Sequence, residues 1–252
     1  MKISILNWNI WSQNLPLLGW AARRGTILST LQDCAADFIC LQEVRWNWMK
    51  DLEAALPFYK WTGMARDLAL NSESTPIFYH HGRFTLLTTE TFWLSDNPDR
   101  ISHGWDAHYP RTATCCSFRC NQSQKLVTVV NTHLDHWGRM SRELSAGLIR
   151  KKMEQLPTDQ AILVAGDLNS VPGSLPCQIL MENNFLQDCA QGNSASSWNA
   201  WVGGRFGWWQ SRLDYIFSRN MEIRDYQLLK DPGNWLPSSD HKALFARLEI
   251  LS

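Results

Sequence analysis

At 252 residues the chain suits one large domain or two small ones, with ample length for a buried core. Its 24 Lys and Arg balance 24 Asp and Glu, so there is no basic footprint for avid, sequence-blind binding to duplex DNA, although local basic patches stay open. No apolar run approaches the ~20 residues of a bilayer-spanning helix.

The opening MKISILNWNIW alternates like a strand and lacks the small-residue cleavage site of a secretory leader. Residues 2–10 therefore read as a strand that delivers Asn7 and Asn9 on one face at its end. Residues 23–31 read as a helix with Ile27, Leu28 and Leu31 on one side. Residues 37–41 (DFICL) form a buried strand closing on Gln42 and Glu43. That Glu is either a strand-end acid or a first-turn acid, since residues 46–55 can be helical. Strands near 58–64 and 76–79 flank a polar loop over 66–74, and residues 84–93 continue in β-rich composition.

A connection full of turn formers, 95–109, leads to Arg111 at the head of a strand over 112–119. Its guanidinium is either a phosphate ligand or a surface group. Residues 125–130 (KLVTVV) are a buried strand ending in Asn131, Thr132 and His133; a His standing alone there is more often a satisfied core group than a catalyst. Residues 141–153 read as a helix with Leu144, Leu148 and Ile149 as its apolar side.

The run AILVAGDLNSVP (161–172) has the length and branching of a buried strand, halted at Gly166 and followed by Asp167 and Asn169. If the strand's period of two persists, both side chains point one way and Leu168 faces the core. They are then a base and a partner amide; otherwise they close a turn onto the backbone. Residues 175–181 read as helical. Residues 196–212 read as a Gly-interrupted loop carrying Trp198, Trp201, Phe206, Trp208 and Trp209, either a stacking surface for bases, sugars or lipid, or an apolar lid. Residues 213–217 (LDYIF) place Asp214 opposite Leu213, and Ser239, Asp240 and His241 precede a last strand over 243–248.

No composition break or repeat divides the chain, so residues 1–252 read as one domain. The seven Cys sit mostly in apolar contexts, as Cys34, Cys40, Cys115 and Cys189 do, which predicts buried thiols in a reducing cytoplasm. Cys115, Cys116 and Cys120 lack the C-x-x-C spacing of a zinc site.

The strand-end groups collect into a chemical set: carboxylates for a hard divalent cation, two imidazoles, two amides and a guanidinium. Mg²⁺ favours one or two carboxylates with water and substrate phosphate oxygens. Phosphate-ester hydrolysis needs an aligned water, a base, and positive charge around the phosphoryl oxygens. No G-x-S-x-G and no G-x-x-x-x-G-K-[ST] occurs, which argues against a serine hydrolase of that type and a P-loop ATPase.

In order along the chain, NWNI (7–10), LQEV (41–44), NTHLDH (131–136), GDLN (166–169), RLDYIF (212–217) and SDH (239–241) resemble the endonuclease/exonuclease/phosphatase superfamily. PIFYHHGRF, TFWLSDNPD and GWDAHYPR resemble a bacterial branch of small proteins near the deadenylases, which adds Arg111 to the site. The resemblance implies a four-layer α/β sandwich of two packed mixed β-sheets with helices on both outer faces. It implies Mg²⁺ or Mn²⁺ held by Glu43 with Asn9 and Asp240, and water deprotonated by Asp167 with support from Asn169. It further implies that Asp214 fixes the tautomer of His241, and that His241, His133, Arg111 and Asn9 face the phosphate. Two departures are visible. Trp11 stands where abasic-site endonucleases carry an acid, and a Trp-rich segment replaces the short one usual before the LDYIF-like strand.

The expected activity is a phosphodiesterase or nuclease acting on nucleic acid ends, nucleotides or single strands. The alternative is hydrolysis of a small phosphorylated metabolite, sugar or lipid headgroup, and a remote one is a binding module without catalysis.

Overall fold

The computed structural model describes residues 1–13, 18–202, 205–231 and 237–251, with residues 200–202 and 205–209 given by their backbone alone. In chain order the first half runs β1 (Lys2–Asn9), α1 (Trp20–Cys34), β2 (Phe38–Gln42), β3 (Val44–Arg45), a 3₁₀ turn, α2 (Met49–Ala55), β4 (Tyr59–Thr62), β5 (Glu73–Ser74), β6 (Ile77–His80), β7 (Phe84–Trp93) and β8 (Thr112–Cys120). The second half adds β9 (Leu126–His133), α3 (Arg139–Glu154), β10 (Ala161–Asp167), α4 (Leu175–Met181), β11 (Gln187–Asp188), β12 (Trp198–Val202), β13 (Arg205–Ser211), β14 (Asp214–Arg219), β15 (Met221–Leu228) and β16 (Leu244–Ile250).

Two six-stranded mixed sheets result, in the orders β15-β16-β1-β2-β6-β4 and β11-β14-β10-β9-β8-β7. Each contains one parallel pair, β1 with β2 and β9 with β10. Parallel neighbours need a crossover, and α1 and α3 supply it. Ile27 and Leu31 of α1 and Leu52 of α2 pack with Leu6, Trp8, Ile39 and Leu41. Ala146, Ile149 and Met153 of α3 and Leu180 of α4 pack with Val130, Ile162, Val164 and Tyr215.

Between the sheets lies a third cluster that takes the alternate residues of the same strands: Ile3 and Ile5, Phe38 and Cys40, Val127 and Val129, Leu163 and Ala165, Ile216. The period of two places the next residues on that same inward face. They are Asn7 and Asn9 on β1, Gln42 on β2, Asn131 and His133 on β9, Asp167 on β10 and Asp214 on β14. The inter-sheet layer is thus apolar along most of its length and polar at one end.

The polar end is welded by amides. Gln42 Nε2 donates to Asn7 Oδ1 at 2.8 Å and Asn131 Oδ1 at 2.6 Å, while Asn131 Nδ2 donates to the carbonyls of Leu41 and Pro76, each at 2.8 Å. An unpaired buried amide costs about 1–3 kcal/mol, so these bonds hold the two sheets in one register beneath the strand ends.

Several sequence expectations are corrected. Residues 196–212 are not a plain loop, because β12 and β13 pair as an antiparallel hairpin; Gly203 and Gly204 lie outside the described residues, and of the side chains of Trp201, Phe206, Trp208 and Trp209 nothing is described. The loop over 66–74 ends in β5, which pairs with β3. The buried face of α3 is Ser141, Ser145, Ala146, Ile149 and Met153, leaving Leu144 42 % exposed, because the small residues let the helix lie close on its sheet. β15 escaped the sequence reading since it is an edge strand with little buried. All seven cysteines are free, and among the described residues no helix is long and apolar enough to cross a membrane.

Candidate active site

Asn9 stands at the centre of the polar end. Its Nδ2 donates to Glu43 Oε1 at 2.9 Å and to Asp167 Oδ2 at 3.0 Å, joining acids from the two sheets. Glu43 directly follows β2 in a left-handed backbone conformation (φ 58°), which a side chain with a Cβ adopts at a cost of order 1 kcal/mol. That turn redirects the acid from the strand toward the Ser12 N–H, which donates to Oε2 at 2.6 Å. Burial opposes ionisation of Glu43, but the Ser12 N–H and the Asn9 amide outweigh it and hold the carboxyl below its usual range.

Of the two alternatives left open by the sequence, the structure forms the turn, and Asp167 and Asn169 do not share one strand face. β10 stops at Asp167, and Asn169 is left-handed (φ 46°), so the period of two does not reach it. Asp167 Oδ1 accepts the Asn169 N–H at 2.9 Å, closing a turn. Oδ2 is free of that turn and faces Asn9, with His133 Nε2 at 3.5 Å and His241 Nε2 at 3.7 Å. Asn169 contributes by a different route from the one expected: its Nδ2 donates to the Leu134 carbonyl at 3.0 Å and lies 3.1 Å from His133 Nε2. Leu168 is buried, as expected. Burial raises the Asp167 carboxyl to about 7, with the nearby His241 lowering it and Asp214 raising it further.

The two histidines differ in charge. Burial and the neighbouring Arg111 keep His133 neutral, with its pKa well below the usual value. Burial also disfavours the cation at His241, but Asp214, Asp240 and Asp167 overcome it and raise its pKa well above the usual value. Asp214 Oδ2 is 2.8 Å from His241 Nδ1, leaving Nε2 toward Asp167 and toward Asp240 Oδ1 at 3.9 Å. Asp240 is pushed up to about 6 by burial and accepts from Trp198 Nε1 at 3.2 Å.

Arg111 is no surface residue: it is 3 % exposed, with Nε 3.5 Å from Asp135 Oδ2 and a terminal nitrogen 3.0 Å from His136 Nδ1. A cleft of about 940 Å³ opens here, lined by Glu43, Arg111, His133, Asp167, Asn169, Asp240 and His241. Asn9 and Asp214 lie beneath that lining, fully buried. The nine residues singled out in the sequence therefore converge.

Others were missed. Arg66 lines the same cleft, paired with Glu73 Oε2 at 2.8 Å and lying over the Tyr109 ring at 4.6 Å. Asp135 takes the N–H groups of Trp137 at 2.9 Å and Gly138 at 2.7 Å besides Arg111, and its place within NTHLDH was a usable signal. Buried Arg23 donates to the carbonyls of Ile10, Trp11 and Ser238, tying the segment after Asn9 to the segment before His241; nothing in the helical pattern announces it.

The donor set fits a hard dication. Glu43, Glu73, Asp167 and Asp240 line one cleft, and burial raises the pKa of the last three, an unfavourable gathering of carboxylates that a bound cation relieves. Among the described residues, Asp167, Asp214 and His241 also bring three ligand atoms within 4.8 Å. Asp214 Oδ2 already accepts the Ser197 hydroxyl at 2.7 Å and lies 2.8 Å from His241 Nδ1, while its Oδ1 has no hydrogen-bond partner among the described residues.

The sequence profile of the Endonuclease/Exonuclease/phosphatase family matches residues 6–241. The chain is 28 % identical to an endonuclease/exonuclease/phosphatase of Bacteroides vulgatus, with a TM-score of 0.90 over 99 % of each chain. It is 26 % identical to a mannosyl-6-phosphatase of Bacteroides thetaiotaomicron, with a TM-score of 0.87 over 98 % of this chain and 99 % of that one. Protein angel of Drosophila melanogaster is 23 % identical over an alignment of 237 residues that covers 80 % of this chain and 66 % of that relative's length.

Proposed function

The chain belongs to the endonuclease/exonuclease/phosphatase family and is a phosphoesterase, and we propose that it hydrolyses small phosphate esters, sugar phosphates first among them, with Mg²⁺ or Mn²⁺. The observation that carries this reading is the buried Asn9 amide, which holds together Glu43 and Asp167 of the cleft lining, with His241 Nε2 3.7 Å from Asp167 Oδ2. Glu43, with Asn9 and Asp240, would hold the ion, which when bound polarises a phosphoryl oxygen and offsets its charge.

Asp167 would orient the attacking water and take its proton, a task suited to a carboxyl raised to about 7. Asn169 supports it through the backbone N–H on Oδ1. Asp214 fixes His241 through Nδ1, so that the charged ring presents Nε2 to the phosphoryl group. Arg111 and His133 would meet the remaining phosphoryl oxygens, where fixed donors in a partly closed cleft act most strongly on developing charge, while Asn9, expected among them, is fully buried beneath the lining with both Nδ2 hydrogens committed to Glu43 and Asp167.

The substrate class follows from three supports. The cleft volume suits a phosphorylated sugar or nucleotide. Arg66 and Arg111 both face it, as a dianionic monoester requires. The Bacteroides thetaiotaomicron relative is a mannosyl-6-phosphatase. A second reading, single-stranded nucleic acid ends or nucleotides, is favoured by Trp11, Trp137 and Trp198 on the cleft wall, which can stack bases.

The test is a screen of purified protein with Mg²⁺ or Mn²⁺ against hexose 6-phosphates, mononucleotides, a bis-aryl phosphodiester, single-stranded RNA and DNA, and sphingomyelin. Controls are a chelator and Asp167→Asn. Chelator-sensitive turnover of the small monoesters is expected. Turnover confined to strands would install the second reading, chelator-resistant turnover would remove the ion, and no turnover would leave a binding module.

A further inference from the structure

Ser197 is fully buried at the foot of the β12–β13 hairpin, outside the six short motifs quoted from the sequence above. Its hydroxyl donates to Asp214 Oδ2 at 2.7 Å and accepts the N–H groups of Leu213 and Asp214, each at 3.0 Å. One O–H and two lone pairs are the whole capacity of a serine, and all three are used on the segment that carries Asp214. Its carbonyl accepts the Lys242 N–H at 2.7 Å, one residue past His241. The serine therefore bonds to both sides of the Asp214–His241 pair.

Asp214 needs such a partner. Its Oδ1 has no hydrogen-bond partner among the described residues, so the plane of the carboxylate is set by the two bonds on Oδ2, from Ser197 and to His241 Nδ1 at 2.8 Å. Without the hydroxyl a single bond remains, about which the carboxylate can turn. The next residue repeats the pattern on the other acid, since Trp198 Nε1 donates to Asp240 Oδ2 at 3.2 Å and the Asn199 N–H to the Asp240 carbonyl at 2.9 Å.

We propose that Ser197 is a positioning residue which acts through Asp214 to hold the His241 ring with Nε2 in the cleft, making the foot of the hairpin part of the hydrolytic apparatus. The proposal rests on the role assigned to His241 above. A hydroxyl that only closed the turn at Leu213 would leave His241 unaffected, so the two accounts separate experimentally.

The test uses the full chain carrying Ser197→Ala, Ser197→Thr and Asp214→Asn, singly and with the Ala combined with Asn. Turnover of a hexose 6-phosphate is measured beside the imidazole resonances of ¹⁵N-histidine-labelled protein. Ser197→Ala is expected to lower kcat about tenfold with KM within about twofold, and Thr to restore most of it, the usual size of an orienting partner's effect. On the Asp214→Asn background the same Ala change should cost under about twofold, since the two residues act in one chain. The His241 Nδ1 resonance should move in Ser197→Ala and return in Ser197→Thr. An unmoved Nδ1 resonance in a folded variant, or equal losses on both backgrounds, would overturn the proposal. If Ser197→Ala does not fold, Ser197→Thr must keep both kcat and the resonance, and failure of either overturns it. If the wild-type protein hydrolyses no ester, the functional reading falls while the resonances still decide the role of Ser197.

Discussion

Replacing Asp167 by Asn should lower turnover by about 10²–10⁴-fold while making the ion-free protein more stable above neutral pH. Burial moves this carboxyl from an ordinary 3.8 to about 7. Between those values the folded protein keeps a proton that the unfolded chain has released, so stability falls as pH rises through that window. The penalty is absent below about pH 4 and complete above about pH 7, where a displacement of this size corresponds to an upper bound of about 4 kcal/mol. Asn removes the charge and can keep the bond from the Asn169 N–H, but it turns an amide toward the donating Asn9 Nδ2, an offset of about 1–2 kcal/mol. The net gain at pH 8 is roughly 2 kcal/mol, or roughly 4–8 °C in Tm for a chain of this length. Loss of a positioned base costs about 10²–10⁴-fold in kcat. Thermal melts in chelator at pH 5 and pH 8, beside steady-state hydrolysis at pH 8, make the comparison. A loss of activity under about tenfold, or a variant that falls behind the wild type as pH rises, would refute the reasoning.

Other outcomes follow from the same geometry. Glu43→Gln should weaken Mn²⁺ binding by at least about tenfold, read by calorimetry, because it removes the carboxylate that is held ionised. Arg111→Met should lower kcat/KM for a phosphate monoester by about 10²-fold, measured at steady state, as expected for a buried guanidinium facing the substrate's charge. Arg23→Met should cost about 2–4 kcal/mol in urea denaturation, since it strands the carbonyls of Ile10, Trp11 and Ser238 in a buried place.

The site was legible in the sequence because strand periodicity does much of the work. Ile3, Ile5, Asn7 and Asn9 share a face, as do Leu163, Ala165 and Asp167, so a polar residue at the end of an apolar alternation points into the inter-sheet layer. Where the backbone leaves that period the reading stops. The left-handed turns at Glu43 and Asn169 redirect side chains in a way no alternation encodes. The hairpin of β12 and β13 was hidden by Gly203 and Gly204, which signal a turn without naming the strands on either side. Ser197 acts through a bond across 17 residues and Arg23 through bonds across 12, 13 and 215, from side-chain types that are ordinary in their local settings.

The central claim is that acids brought from separate strands hold one divalent ion which a phosphoryl group then shares. Electron–nuclear double resonance on the Mn²⁺-loaded protein with inorganic phosphate tests it without turnover. A ³¹P coupling of directly bound phosphate is predicted in the wild type, and its loss in Glu43→Gln. Mn²⁺ bound without any ³¹P coupling, or the same coupling in both proteins, would contradict it.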